Sequence, residues 1–240
     1  MFKLEHHQKI HTVLEALNSD FFKSIGAYFG GGTQLALQYG EYRWSKDIDF
    51  ICPVGAGYKA LRDALSERSY SVLFSHTEAL KFPRDIRADQ YGVRFPVEID
   101  HTIIKFEIVA EGRISLGKPT FLEWCSVPCL NFDDACTEKL LANTDRWNDA
   151  SIEARDLIDL AILRLQGRIS TSAFDKANSA YDVEGSLRKS LEYFQSNSDL
   201  RTRYFNALNL KSPPLIIDGI DLLAADYSMP STQRLNNEQD

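Results

Sequence analysis

Within residues 29–51, FGGGTQLALQYGEYRWSKDIDFI, two residue patterns that could do chemistry lie close together. Asp47 and Asp49 are two positions apart in an apolar run, so on an extended chain both carboxylates leave the same face while Ile48 and Phe50 turn into the core. Two acids that close repel each other unless a cation sits between them. Mg²⁺ or Mn²⁺ suits such a pair, because a hard cation takes oxygen ligands and still accepts phosphate and water. Upstream, the glycines of residues 30–33 precede a short helix. The free N–H groups there, at the positive end of the helix dipole, form a seat for a phosphate. Gly31, Gly32 and Thr33 are therefore candidate phosphate ligands. A phosphate seat beside a metal-binding pair is the layout for a nucleoside triphosphate with its cation. Glycine triplets also make ordinary turns and aspartates cap loops, so either pattern alone is a weak signal. Their conjunction in a βαβ-like context favours chemistry.

A two-metal site needs a third acid. Glu107 lies in the middle of IIKFEIV, where a carboxylate is costly unless coordinated or hydrogen bonded. Glu98 and Asp100 compete for the role but fall at a hairpin end where water reaches them. Asp47, Asp49 and Glu107 are accordingly the candidate metal ligands.

The elements that must position these residues follow from periodicity. Residues 5–19 read as an amphipathic helix with Ile10, Val13, Leu14 and Leu17 on one side. An apolar segment over 25–29 leads to the glycines, Thr33 caps a helix over 34–38, and Gly40 stops it. A strand over 47–52 ends at Pro53, and a helix runs over 58–68. YSVLF, YGVRFPVEI and TIIKFEIVA read as strands, the last two joined by a hairpin at Asp100-His101. PCLNF reads as a final strand. Beyond it the chain is helical almost to its polar tail, residues 231–240, which is expected to fray. The fold class is thus α+β: a nucleotide-handling domain over 1–132 with a small mixed sheet flanked by helices, then a helical domain over 133–240.

Composition fits a globular protein of 240 residues, with 44% hydrophobic and 25% charged residues. No run approaches the roughly 18 apolar residues of a membrane span, and no secretory signal is visible, so the expected compartment is the cytoplasm. Cys52, Cys125, Cys129 and Cys136 match no zinc or redox spacing and read as buried, reduced thiols. His7 and His11, four apart without a third ligand, read as a solvated helix face. A net charge of −7 excludes broad nonspecific nucleic-acid binding but leaves room for a local basic groove, and basic residues do cluster near the motif.

The stretch GGGTQLALQYGEYRWSKDIDF resembles the opening motif of the AbiEii/MenT-like nucleotidyltransferase toxins, within the DNA polymerase β-type superfamily. EKLLANTDRW and EARDLIDLAIL are similar to that family's Lys-containing helix and its later Arg-Asp-x-x-Asp-Leu helix, so the likeness spans about residues 25–165. It implies transfer of a nucleoside monophosphate from an NTP, with tRNA an acceptor class for some members, and a separately encoded antitoxin as partner. It further implies that Gly32, Thr33 and the Ser45 of the Ser-x-Asp-Ile-Asp segment lie at the nucleotide, and that Asp47 and Asp49 bind Mg²⁺. Lys139 would contact the phosphates and Asp156 would act as a catalytic or Lys-orienting acid. From the residues alone, Arg155 with Asp159 reads equally well as a surface ion pair, and Lys139 among Asp133, Asp134 and Glu138 as solvated. Arg43 and Lys46 could offset further phosphate charge. Arg146, Arg164, Arg168, Arg188, Arg201 and Arg203 could contact an RNA acceptor. Two other readings stay open: transfer to a small molecule or protein, and a non-catalytic nucleotide-binding module.

Overall fold

The computed structural model describes residues 2–238. The chain forms two compact units, Met1–Leu37 with Ser45–Asn131, and Gln38–Trp44 with Phe132–Asp240.

The first unit opens with helices α1 (Glu5–Glu15) and α2 (Ser19–Ile25). The helix expected over 5–19 stops at Glu15, and α2 begins at Ser19. The break falls at Asn18, whose side chain accepts the Phe21 N–H at 3.2 Å and caps α2. Strand β1 (Tyr28–Gly30) runs directly into α3 (Gly31–Gln38). Thr33 therefore lies in the first turn of that helix rather than before it. Strand β2 (Ile48–Pro53), helix α4 (Ala56–Arg68), and strands β3 (Arg87–Ala88), β4 (Gly92–Ile99) and β5 (Thr102–Glu111) follow.

The five strands form one mixed sheet in the order β1-β2-β5-β4-β3, with β2 and β5 parallel and the other pairs antiparallel. Alternation along the strands buries Ile48, Phe50, Phe95, Val97, Ile104, Phe106 and Ile108 on one face. Phe22, Phe50, Phe106 and Phe95 stack in a chain there, with ring centroids 4.3, 5.5 and 4.8 Å apart. Each such ring contributes about 1.5–3 kcal/mol by burial. Asp100 and His101 make the expected two-residue hairpin, both at positive φ (45° and 59°), which matches the twist of the flanking strands.

Two expected strands differ. YSVLF is mostly a 3₁₀ turn, Ser69–Val72, and its Val72, Leu73 and Phe74 are buried. A short apolar run serves a core equally well in either conformation. PCLNF makes only isolated bridges from Cys129 to Phe29 and Thr120.

The second unit contains α5 (Phe132–Arg146), α6 (Arg155–Gln166), α7 (Thr171–Asn178), α8 (Val183–Ser196), α9 (Ser198–Ala207) and α10 (Pro213–Asp226). Helix α5 packs on α6, α7 and α8, and α10 packs on α6. That last approach is close because Gly219 has no side chain: a Cβ there would stand 2.4 Å from the Ala161 carbonyl oxygen. The tail is held rather than frayed as far as it is described. Glu238 is fully buried and takes the Arg201 guanidinium through both oxygens, at 2.9 and 3.0 Å. Gln239 and Asp240 lie outside the described residues. Among the described residues no helix is long and apolar enough to cross a membrane, and all four cysteines are free and buried.

Candidate active site

Strand pairing places the acids of the first unit in register. Gly30 pairs with Asp49 across β1 and β2, Asp49 with Glu107 across β2 and β5, and Glu107 with Arg94 across β5 and β4. Directly opposed residues share a face, so these side chains line one row on the side of the sheet opposite the phenylalanine core. Gly31, at φ +69°, starts α3 against that row. A Cβ built on it would lie 2.9 Å from Asp49 Oδ2, so the Asp49 carboxylate takes the space a side chain there would need. Glycine alone combines that close approach with a left-handed backbone.

Asp47 lies one residue before β2 and is half-buried. Its position is set by a relay of hydrogen bonds. The buried Thr33 hydroxyl donates to the Asp47 carbonyl at 2.5 Å and lies 2.7 Å from the Ser45 hydroxyl. His7 is fully buried and its Nε2 accepts the Ser45 N–H at 3.2 Å, while His6 Nε2 lies 3.0 Å from the Lys46 carbonyl. The expected solvated face at His7 and His11 is therefore corrected. His7 holds the acid loop, and the His11 Nε2 lies 2.8 Å from the Trp124 carbonyl. Neither histidine had a signal in periodicity, because the loop that His7 meets is 38 residues away. The Thr33 and Ser45 hydroxyls, expected at the nucleotide, here tie the glycine helix to the acid loop.

Glu107 is held by cations. Arg94 and Lys105 both donate to its carboxylate. Burial pushes its pKa up, but those two hydrogen bonds outweigh it and keep Glu107 below the usual carboxylate range. Burial lowers Lys105, and Glu107, with weaker help from Asp49 and Asp47, raises it overall, so all three acids lie within electrostatic reach of one ammonium. Asp47, Asp49 and Glu107 do not converge as a preformed cage: among the described residues no group of three or more His, Cys, Asp or Glu is drawn together closely enough to hold a metal ion. Two half-buried acids supply hard oxygen ligands, and Glu107 stands next to Asp49 with its oxygens engaged by Arg94 and Lys105.

In the second unit Lys139 and Asp156 form an ion pair. Lys139 Nζ is 2.9 Å from Asp156 Oδ1 and 2.7 Å from Asp159 Oδ2. Arg146 donates to both Asp156 oxygens, at 2.6 and 3.0 Å. Asp159 also accepts two bonds from Arg43, at 2.7 and 2.9 Å, and one from the Tyr42 hydroxyl. Burial pushes Asp156 up, yet Lys139 and then Arg146 hold it far below the usual range. Burial likewise depresses Lys139, and Asp156 and Asp159 more than restore it. Neither Lys139 nor Asp159 is solvated: the first is 7% exposed and the second 0%. The surface pair of Arg155 with Asp159 does not form, since Arg155 Nε donates to the Ile152 carbonyl instead. Arg43 as the partner of Asp159 was invisible in the sequence, 116 residues away.

Of the arginines offered for an acceptor, Arg201 is buried against Glu238, and Arg164 and Arg168 meet Asp226. Arg188 and Arg203 lie over Tyr227 and Tyr204.

No curated protein matches the chain in sequence. Among solved structures, a protein from H. pylori provisionally described as a nucleotidyltransferase superposes with a TM-score of 0.51 at 18% identity, over 91% of this chain and 90% of that one. JHP933 from Helicobacter pylori gives 0.41 at 16% identity over 87% and 98%. An antigenic nucleotidyltransferase-like protein from Paracoccidioides brasiliensis gives 0.47 at 12% over 83% and 92%. The first likeness is one of fold. The sequence model of the nucleotidyl transferase AbiEii toxins of type IV toxin–antitoxin systems matches residues 12–211, which include both ionic clusters and the glycine turn. The chain belongs to that family, and its activity is nucleotidyl transfer.

Proposed function

We propose that the protein moves a nucleoside monophosphate from an NTP to an RNA acceptor of the tRNA class, using a divalent cation held by Asp47 and Asp49. What supports this reading is one close approach, the Asp49 carboxylate in the space a side chain on Gly31 would need, which puts the start of α3 beside the acids. A bound Mg²⁺ or Mn²⁺ would neutralise charge on the phosphates at which the acceptor hydroxyl displaces pyrophosphate. The N–H groups at Gly31 and Gly32 bind phosphate at the helix start. Thr33 and Ser45 fix the loop that carries Asp47. Glu107 joins the acids only by exchanging Arg94 or Lys105 for the cation, which leaves those two side chains available to phosphate. Lys139, oriented by Asp156 and Asp159, supplies positive charge to the triphosphate, in a cluster where three cations (Lys139, Arg43 and Arg146) face two carboxylates. As a family toxin the chain is opposed by an antitoxin encoded separately, and the reaction is placed in the cytoplasm.

The test is incubation with each labelled NTP, Mg²⁺ or Mn²⁺, and total cellular RNA, followed by separation of products. Label on RNA supports the reading. Label on protein or on a small molecule replaces the acceptor, and NTP binding without pyrophosphate release removes the reaction.

A further inference from the structure

The row across the sheet does not end at Arg94. Arg94 pairs in turn with Arg87 on the edge strand β3, so Gly30, Asp49, Glu107, Arg94 and Arg87 stand side by side over five strands, about 19 Å at the usual strand spacing. Lys105 lies two residues before Glu107 on the same face and is 54% exposed. At the edge, Asp89 joins this row to a groove. Its carboxylate takes Arg94 at 3.4 Å, and its carbonyl accepts the Tyr58 hydroxyl at 2.6 Å. Tyr58 lines a groove of about 600 Å³ along α4, with Lys59 and Arg62 beside it. Lys59, Arg62 and Arg87 are exposed, and among the described residues none of them forms an ion pair. In the second unit Arg164, Arg168 and Arg201 are tied to carboxylates, while Arg188 and Arg203 lie over tyrosine rings.

We infer that Lys105, Arg94, Arg87, Arg62 and Lys59 form a track that binds the phosphate backbone of the RNA acceptor and leads it from the groove on α4 to the acids at Asp47 and Asp49. The inference rests on the reaction proposed above for its direction, and on charge and register for its existence. Along this path Lys105 and Arg94 are paired with Glu107 and Asp89, whereas the outer three, Arg87, Arg62 and Lys59, are exposed and carry no ion pair among the described residues, in a protein whose net charge is −7. No base-reading group is invoked, so the track sets affinity and path rather than sequence preference.

The experiment measures binding of fluorescein-labelled bulk tRNA to the full chain by anisotropy, from 50 to 200 mM KCl, for wild type, Arg62→Glu, Arg87→Glu and the double variant. Both residues are exposed, so the thermal midpoint is expected to stay within about 2 °C of wild type. Each reversal is expected to reduce the slope of log K against log salt by about 1, and the double variant to weaken binding at least about 10-fold. The KM for NTP is expected to stay constant. An unchanged slope and affinity in the double variant overturns the track, as does a raised KM for NTP with RNA affinity intact. Wild-type binding that is lost in the double variant, without any label transfer to RNA, upholds the track and removes the reaction. Label transfer with an unchanged KM for RNA in the double variant does the reverse.

Discussion

A Cβ on Gly31 would stand 2.9 Å from Oδ2 of Asp49, so the acid on β2 takes the space where a side chain is missing from the turn that opens α3. Gly31→Ala should therefore push the carboxylate aside and place alanine at φ +69°, at a cost of about 1–3 kcal/mol. Nucleotide transfer should fall further than the thermal midpoint predicts. Paired labelled-NTP and melting measurements check this, and activity that only tracks the folded fraction would refute it.

Asp49→Asn keeps the shape and removes the charge. Transfer should drop about 10²-fold or more, while stability holds or rises because repulsion with Asp47 is relieved. Wild-type turnover at saturating Mg²⁺ would exclude Asp49 from the reaction.

His7→Leu leaves the buried Ser45 N–H without its acceptor, a loss of about 1–3 kcal/mol. The loop carrying Asp47 should loosen, so kcat falls while the KM for NTP changes little. His7→Gln, which can still accept, should recover part of the rate. Equal kcat in the two variants would show that the hydrogen bond does not position the acid.

Lys139→Met removes the cation shared by two buried carboxylates, leaving Asp156 to Arg146 and Asp159 to Arg43 and Tyr42. Losing these two charged hydrogen bonds while each acid keeps an arginine costs about 1–3 kcal/mol, and calorimetry should show a correspondingly lower midpoint. Adding Asp156→Asn should restore part of the loss, since the buried cluster then holds one carboxylate fewer to be balanced without Lys139. If the second change deepens the loss, the cluster is not held by charge pairing.

The same cluster fixes a pH dependence. Asp156 and Asp159 are depressed in the fold, so their contribution is complete above the unfolded value of about 4 and disappears as pH falls below it. Lys139 is raised, so its contribution is complete below about 10.4 and is lost as pH climbs past that. Denaturant midpoints should therefore be flat near neutrality and fall at both extremes. Substituting Asp156→Asn should flatten the acid limb, and an acid limb of unchanged steepness would contradict the assignment.

Local pattern made much of this legible. Two-residue periodicity located β2, β4 and β5 and put Asp49 and Glu107 on strands, but only the sheet order brought the two acids opposite each other. The glycine triplet located the start of α3 to within three residues. What stayed hidden was long-range. His7 reads as one polar residue on an amphipathic helix, and only the fold brings it to Ser45. Arg43 looks like part of a loop, and only α6 gives it Asp159. Short apolar runs misled for a related reason. YSVLF has strand composition, but its residues are needed in the core and the backbone there is free to turn. Charge misled as well, since the arginines of the last hundred residues look available in sequence and are largely engaged in the fold.

The segment Gln38–Trp44 lies between α3 and β2 in the chain, yet it belongs to the helical unit, where Arg43 meets Asp159. No single cleavage can therefore split the protein into its two units. A fragment stopping before Phe132 would carry a buried guanidinium away from both of its acceptor oxygens, and a fragment starting there would leave Asp159 short of three hydrogen bonds. Evolution by swapping one half for another would need two crossovers rather than one, because the glycine turn and the acid strand are threaded on either side of a borrowed seven-residue stitch.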